Sequence, residues 1–128
     1  MKKKIIKPQG VPQPVGPYNH LVKIGKLFYS SGQIPLDPES GQLVSDNIVE
    51  QAHQVLRNVG ALLKSAELDY ADVIKTTLFL TNLDDFAEIN KVYSEYFQDN
   101  YPARSTIEVS RLPLGARFEL EFVAAHGD

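Results

Sequence analysis

Apolar residues recur at steps of three and four between Ile48 and Ala66: Ile48, Ala52, Val55, Leu56, Val59, Leu62, Leu63 and Ala66. That is the spacing of an amphipathic helix. Asn47 with Glu50 three residues on resembles a capping box at its start. Gly60 inside the helix costs about 1 kcal/mol relative to alanine, so a close packing neighbour is expected over it. A second helix is predicted over 83–98, capped by Thr81 or Asn82, with Phe86, Ile89, Tyr93, Tyr96 and Phe97 on its buried stripe. Elsewhere the period is two. "HLVKIGKLFYSSGQI" reads as a hairpin over about 19–34 broken at Gly25 and Lys26, and "DVIKTTLFLT" as a central strand. After Pro102, Ile107 and Val109 alternate with Arg104, Thr106, Glu108 and Ser110, which predicts a strand with one buried face. "ARFELEFVAAH" closes the chain as a strand with Phe118, Leu120, Phe122 and Ala124 on one face and Arg117, Glu119, Glu121 and Val123 on the other.

The predicted order is strand, strand, strand, helix, strand, helix, strand, strand, an α+β mixed sheet of about six strands with two helices packed on one face. If Ile107, Val109, Phe118, Leu120 and Phe122 point at the helices, Arg104, Thr106 and Glu119 share the opposite, uncovered face. That face also carries apolar residues such as Val123, and leaving it in water is costly. It is expected to pack against other copies of the chain.

With 128 residues, the chain is predicted to be one domain over 1–128, without a linker; Lys7 to Pro17 reads as an ordered but irregular connection. The absence of cysteine excludes disulfides, thiolate-bound zinc and a thiol nucleophile, and fits a cytoplasmic location. A net charge of -3 gives no broad positive field for nucleic acid. The opening "MKKKII" runs straight into "KPQGVPQPVGP" without an apolar core, so it reads as a solvated basic end, not a signal peptide. No apolar run approaches the roughly 20 residues that span a bilayer, so no membrane association is expected. His20, His53 and His126 lack metal-ligand spacing and are read as structural or solvated.

Four segments together resemble one family: "GPY" at 16–18, "SSGQIPLDPESGQL" at 30–43, "VIKTTLFLTNLDDFAEIN" at 73–90 and "YPARSTIEVSRLPLGARFELE" at 101–121. They resemble the RidA/YjgF family of reactive intermediate deaminases over about residues 5–125. The resemblance implies a chorismate-mutase-like fold, a homotrimer and ligand clefts between subunits. It also implies cofactor-free hydrolysis of 2-imino acids, such as 2-iminobutanoate and 2-iminopropanoate, to 2-oxo acids and ammonia, which protects pyridoxal-phosphate enzymes.

Arg104 is the leading candidate, because a guanidinium fork matches a substrate carboxylate. Spacing alone leaves an ion pair with a glutamate on its own face as an equal alternative; the "PAR" motif favours ligand binding. Glu119 is the candidate acid and base, since one carboxyl beside a bound water can move every proton that imine hydrolysis requires. By the resemblance, Tyr18 orients water or substrate, the backbone at Ser31 and Gly32 approaches the ligand, and Asn90 lies near the cleft. Thr106 stands where many bacterial members carry cysteine, and a hydroxyl there can still donate a hydrogen bond. Asn19, His20 and Leu114 fall at variable positions and bear on substrate preference. Two rivals remain: a small-carboxylate-binding regulatory protein without turnover, and nucleic-acid cleavage, against which the acidic balance argues.

Overall fold

Period and propensity become structure almost where expected in the computed structural model, which describes residues 2–127. The apolar stripe forms helix α1, Ile48–Ser65, whose Asn47 side chain accepts from the Glu50 N–H. The capping box is one-sided, because the Glu50 carboxylate takes the Ser45 hydroxyl instead. The second helix divides: a 3-10 turn at Leu83–Asp85, capped by Asn82, leads into α2, Phe86–Phe97. The strands are β1 Lys4–Ile6, β2 Leu21–Ile24, β3 Leu27–Ser30, β4 Val73–Leu80, β5 Ala103–Glu108 and β6 Phe118–Ala125. β1 corrects the reading of "MKKKII" as merely solvated: Ile5 and Ile6 are half-buried and pair with Val22 and Leu21.

The sheet order is β1-β2-β3-β6-β4-β5, antiparallel throughout except for the parallel pair of β4 and β5 that α2 connects. Paired residues share a face. Thr76 with Phe122, Leu78 with Leu120 and Leu80 with Phe118 form the buried face under the helices. Their neighbours, Thr77 with Glu121 and Phe79 with Glu119, therefore point the other way. On that second face Tyr29 is 47% and Ile107 44% exposed.

The same register overturns one expectation. β5 runs beside β4 with Arg104 opposite Thr76, Thr106 opposite Leu78 and Ile107 opposite Phe79. Arg104 and Thr106 are thus on the helix face, and Ile107 is on the uncovered one with Glu119. Alternation along an edge strand shows that its two faces differ, not which of them the helices cover. Phe86 also departs from the expected stripe: it is 39% exposed, while Ile89, Val92, Tyr93 and Phe97 carry the burial.

Polar side chains lock the helices to the sheet. Gln51, wholly buried on α1, donates to Ser45 O and accepts from the Arg117 N–H. Arg117 donates from Nη2 to the Asp85 carboxylate, 2.9 and 3.0 Å from its two oxygens, and from Nη1 to Asp46 O at 2.8 Å, joining the starts of both helices. Among the described residues no buried side-chain nitrogen or oxygen lacks a partner, as a packed interior requires. No described helix is long and apolar enough to cross a membrane.

Gly60 has the expected close neighbour. The Tyr70 hydroxyl passes over it to donate to Leu56 O at 2.7 Å, and a Cβ at position 60 would collide with that hydroxyl. Gly60→Ala is therefore expected to destabilise the protein by about 1–3 kcal/mol despite alanine's better helix propensity. Adding Tyr70→Phe should recover most of the loss, as read by urea denaturation.

Candidate functional site

The predicted residues fall into two groups on opposite faces of the sheet. The first surrounds Arg104. Its guanidinium carbon lies 4.9 Å from the Tyr93 ring centroid and 5.4 Å from that of Phe86. Asn90, Tyr93, Ser94, Tyr101, Pro102 and Arg104 line an open cavity of about 370 Å³. No carboxylate among the described residues forms an ion pair with Arg104, so the alternative of a structural salt bridge within the protomer is not realised. Thr106 follows two positions along the same face, half-buried. Tyr93 and Phe86 were read from sequence as core, which holds for Tyr93, buried even though its ring faces Arg104, and fails for the exposed Phe86. The signal against that reading was Asn90, a polar residue four positions after Phe86 and three before Tyr93, where a helical stripe leaves the interior.

The second group surrounds Glu119. Gly32 faces its carboxylate so closely that a Cβ there would occupy the carboxylate's place. A side chain at position 32 would push the carboxylate out of the place it holds. The Gly32 segment is pinned by Gln33, whose backbone exchanges hydrogen bonds of 2.8 and 3.1 Å with Leu120. The Ser31 hydroxyl donates to Asn19 O at 2.6 Å. Tyr18 stands at the rim, 40% exposed, its hydroxyl oxygen accepting from the Val15 N–H at 3.3 Å. His20, buried beneath it, must donate from Nε2 to Pro12 O at 2.6 Å, so its Nδ1 accepts from the Gln33 amide at 3.1 Å. His20 is thus structural, as expected, but it ties the loop carrying Tyr18 to the segment carrying Gly32. Leu114, with φ of 58°, lines a separate cavity with Thr81, Arg111 and Arg117.

Glu119 makes no hydrogen bond or ion pair to a described residue. Burial, and to a lesser degree the like charge of Glu121 two positions along the same face, pushes its pKa above the ordinary carboxylate value. Burial likewise raises Tyr93, against the opposing pull of its hydrogen bond with Thr76 and the charge of Arg104. No group of three His, Asp or Glu side chains among the described residues is placed to hold a metal ion.

Comparison with known proteins identifies the family. The family model described as endoribonuclease L-PSP matches residues 9–126. The chain belongs to this family, the RidA/YjgF family. Among its relatives, the human protein named 2-iminobutanoate/2-iminopropanoate deaminase is 43% identical over 125 residues, covering 98% of this chain and 91% of that one. A RutC family protein of Pyrococcus abyssi is 44% identical over 124 residues, covering 97% and 98%. Among solved structures, E. coli TdcF with bound serine superposes with a TM-score of 0.91 at 40% identity, covering 97% of this chain and 99% of that one. The E. coli YjgF gene product gives 0.91 at 38%, with the same coverage.

Within this RidA/YjgF fold, the Glu119 environment makes a stability prediction. A carboxyl whose folded pKa is raised is most stabilising while protonated, and that stability is lost as pH rises through the folded pKa. Glu119→Gln should therefore melt at a higher temperature than the parent at pH 7 to 8. The gain should vanish toward pH 4, as read by thermal denaturation across that range; a lower melting temperature at neutral pH would show that the charged carboxylate is stabilised instead.

Proposed function

We propose that this protein hydrolyses small 2-imino acids to 2-oxo acids and ammonia in a site that two copies of the chain complete. The single observation that carries the reading is complementary. An unpaired guanidinium and a desolvated, unpaired carboxyl lie on opposite faces of one sheet, where they cannot meet within a protomer. Packing of the uncovered face, with Tyr29, Phe79 and Ile107, against neighbouring copies in a homotrimer would bring Glu119 of one copy to Arg104 of the next. The deaminase names of the mammalian relatives support the chemistry. The serine bound to E. coli TdcF supports a ligand of amino-acid size.

Arg104 holds the substrate carboxylate bidentately and fixes the imine carbon relative to Glu119. Burial favours the protonated form of Glu119 more than in an exposed carboxyl. That proton passes to the imine nitrogen, making the carbon electrophilic. The resulting carboxylate then takes a proton from water as oxygen bonds to the carbon, giving a carbinolamine and a reprotonated Glu119. In the second half the carboxyl protonates the amine and accepts the hydroxyl proton as the carbon–nitrogen bond breaks. Ammonia and the 2-oxo acid leave with Glu119 in its starting state. Tyr18, whose own hydroxyl proton has no described acceptor, orients the water or the carbinolamine oxygen. The family's endoribonuclease name points instead to RNA, but the net charge of -3 and the adjacent Glu119 and Glu121 repel a phosphate backbone.

The test generates imine in situ from a threonine dehydratase or an amino acid oxidase and follows its disappearance with purified protein. Glu119→Gln should lower turnover by about 10² or more while retaining affinity for a 2-oxo acid. Arg104→Lys, which keeps charge but loses the fork, should weaken that affinity. Arg104→Ala and Glu119→Gln, each inactive alone, should regain roughly a quarter of parental turnover when co-assembled in equal amounts, because one site in four then receives both intact residues. Failure of every mixture to recover activity would place both residues in one subunit's site or outside it.

A further inference from the structure

We propose that Phe86 and Tyr93 are positioning residues that hold the Arg104 guanidinium in its carboxylate-binding orientation through their ring faces, leaving its N–H fork unused. The inference rests on the carboxylate-binding reading of Arg104.

Arginine in a protein is ordinarily oriented by a carboxylate, which occupies the fork that a ligand would need. Arg104 has no such partner among the described residues. Instead its guanidinium carbon lies between two aromatic rings, 4.9 Å from Tyr93 and 5.4 Å from Phe86. A cation attracted to the face of a ring gives up none of its hydrogen-bond donors. The cradle is unequal in rigidity. Tyr93 is buried, its hydroxyl 2.8 Å from the Thr76 hydroxyl and its ring stacked on Phe97 at 4.4 Å between centroids. Thr76 is itself the cross-strand neighbour of Arg104, so the strand pairing fixes both the ring and the arginine it faces. Phe86 is 39% exposed and opens α2. That exposed ring is the second aromatic face near the guanidinium carbon, at 5.4 Å. Orienting the long arginine chain before the ligand arrives removes rotamer entropy that binding would have to lose.

The experiment measures binding of 2-oxobutanoate by calorimetry, at one fixed ionic strength, to the parent protein and to Arg104→Ala, Phe86→Leu and Phe86→Tyr. Exposure of position 86 means these changes leave the core intact. Phe86→Leu, of similar bulk but without a π face, is expected to weaken binding by roughly 3- to 10-fold. Phe86→Tyr, which restores the face, should bring affinity back to within about twofold of the parent. Parental affinity in Phe86→Leu, set against a loss in Arg104→Ala, overturns the inference alone. Weakening that Phe86→Tyr does not repair also overturns it, because the role would then be one of shape. Parental affinity in both Arg104→Ala and Phe86→Leu overturns the carboxylate-binding reading and the inference with it.

Discussion

Everything about this site follows from which residue of β4 stands opposite Arg104. The parallel register pairs Arg104 with Thr76, and Thr76 points into the core beneath the helices. A slip of one residue would move Arg104 to the face that carries Glu119, because side-chain direction alternates with period two. On that face the guanidinium would lie two strands from an acidic pair, Glu119 and Glu121, within the same protomer. Opposite charges so placed would attract, and an arginine neutralised in this way has no fork to offer. The observed register keeps acid and base apart.

Separation leaves each group in an unfavourable setting. The Glu119 carboxyl is partly desolvated, beside a like charge and against the bare backbone of Gly32. Arg104 has aromatic faces for company and no counterion among the described residues. A fold selected only for the stability of its protomer would hydrogen-bond or pair both. Retained strain of this electrostatic kind is characteristic of groups arranged for a ligand or for a developing charge. The apolar residues on the uncovered face act in the same direction: Ile107 and Tyr29 remain about half exposed where a neighbouring copy would bury them. On the proposed function, the RidA/YjgF fold divides one chemical task into two halves, neither complete within a protomer.

How much of this was legible in the sequence depended on how strongly burial constrained each element. α1 and β6 were read almost to the residue because one face of each is wholly buried, so a single polar error would be costly. Gly60 announced the Tyr70 crossing because glycine within a helix needs a reason. β5, at the sheet edge, escaped a correct assignment of faces: its six residues include none that is fully buried, and its pattern is compatible with either orientation. β1 was counted in the expected order of strands but not located, because only Ile5 and Ile6 carry apolar content among lysines. Phe86 was misjudged because aromaticity and helical spacing suggest a core even when the ring's partner is a cation at the surface. The motif resemblance named Arg104, Glu119, Tyr18, Gly32 and Asn90 as one set. It could not show that Arg104 and Glu119 lie on opposite faces of the sheet, which is a property of strand register.

The two halves differ in how they can vary. Around Glu119 the chain is tied by backbone and buried polar bonds: Ser31 N–H to His20 O, the Ser31 hydroxyl to Asn19 O, the Gln33 amide to both Ser31 O and His20, and His20 onward to Pro12 O. The side-chain bonds of His20 and Gln33 lie partly or wholly out of water, where an unpaired donor or acceptor costs about 1–3 kcal/mol. Changing one member strands another, so the distance from Tyr18 to Glu119 is held by a network that resists gradual adjustment. Around Arg104 the lining is a helix face and an exposed Tyr101, where, Tyr93 with its bond to Thr76 apart, substitution leaves no buried polar atom unsatisfied. A side chain of different size can be accepted there at the cost of packing alone. Selectivity among small carboxylates is therefore expected to reside on the α2 side, with the proton-transfer side kept constant.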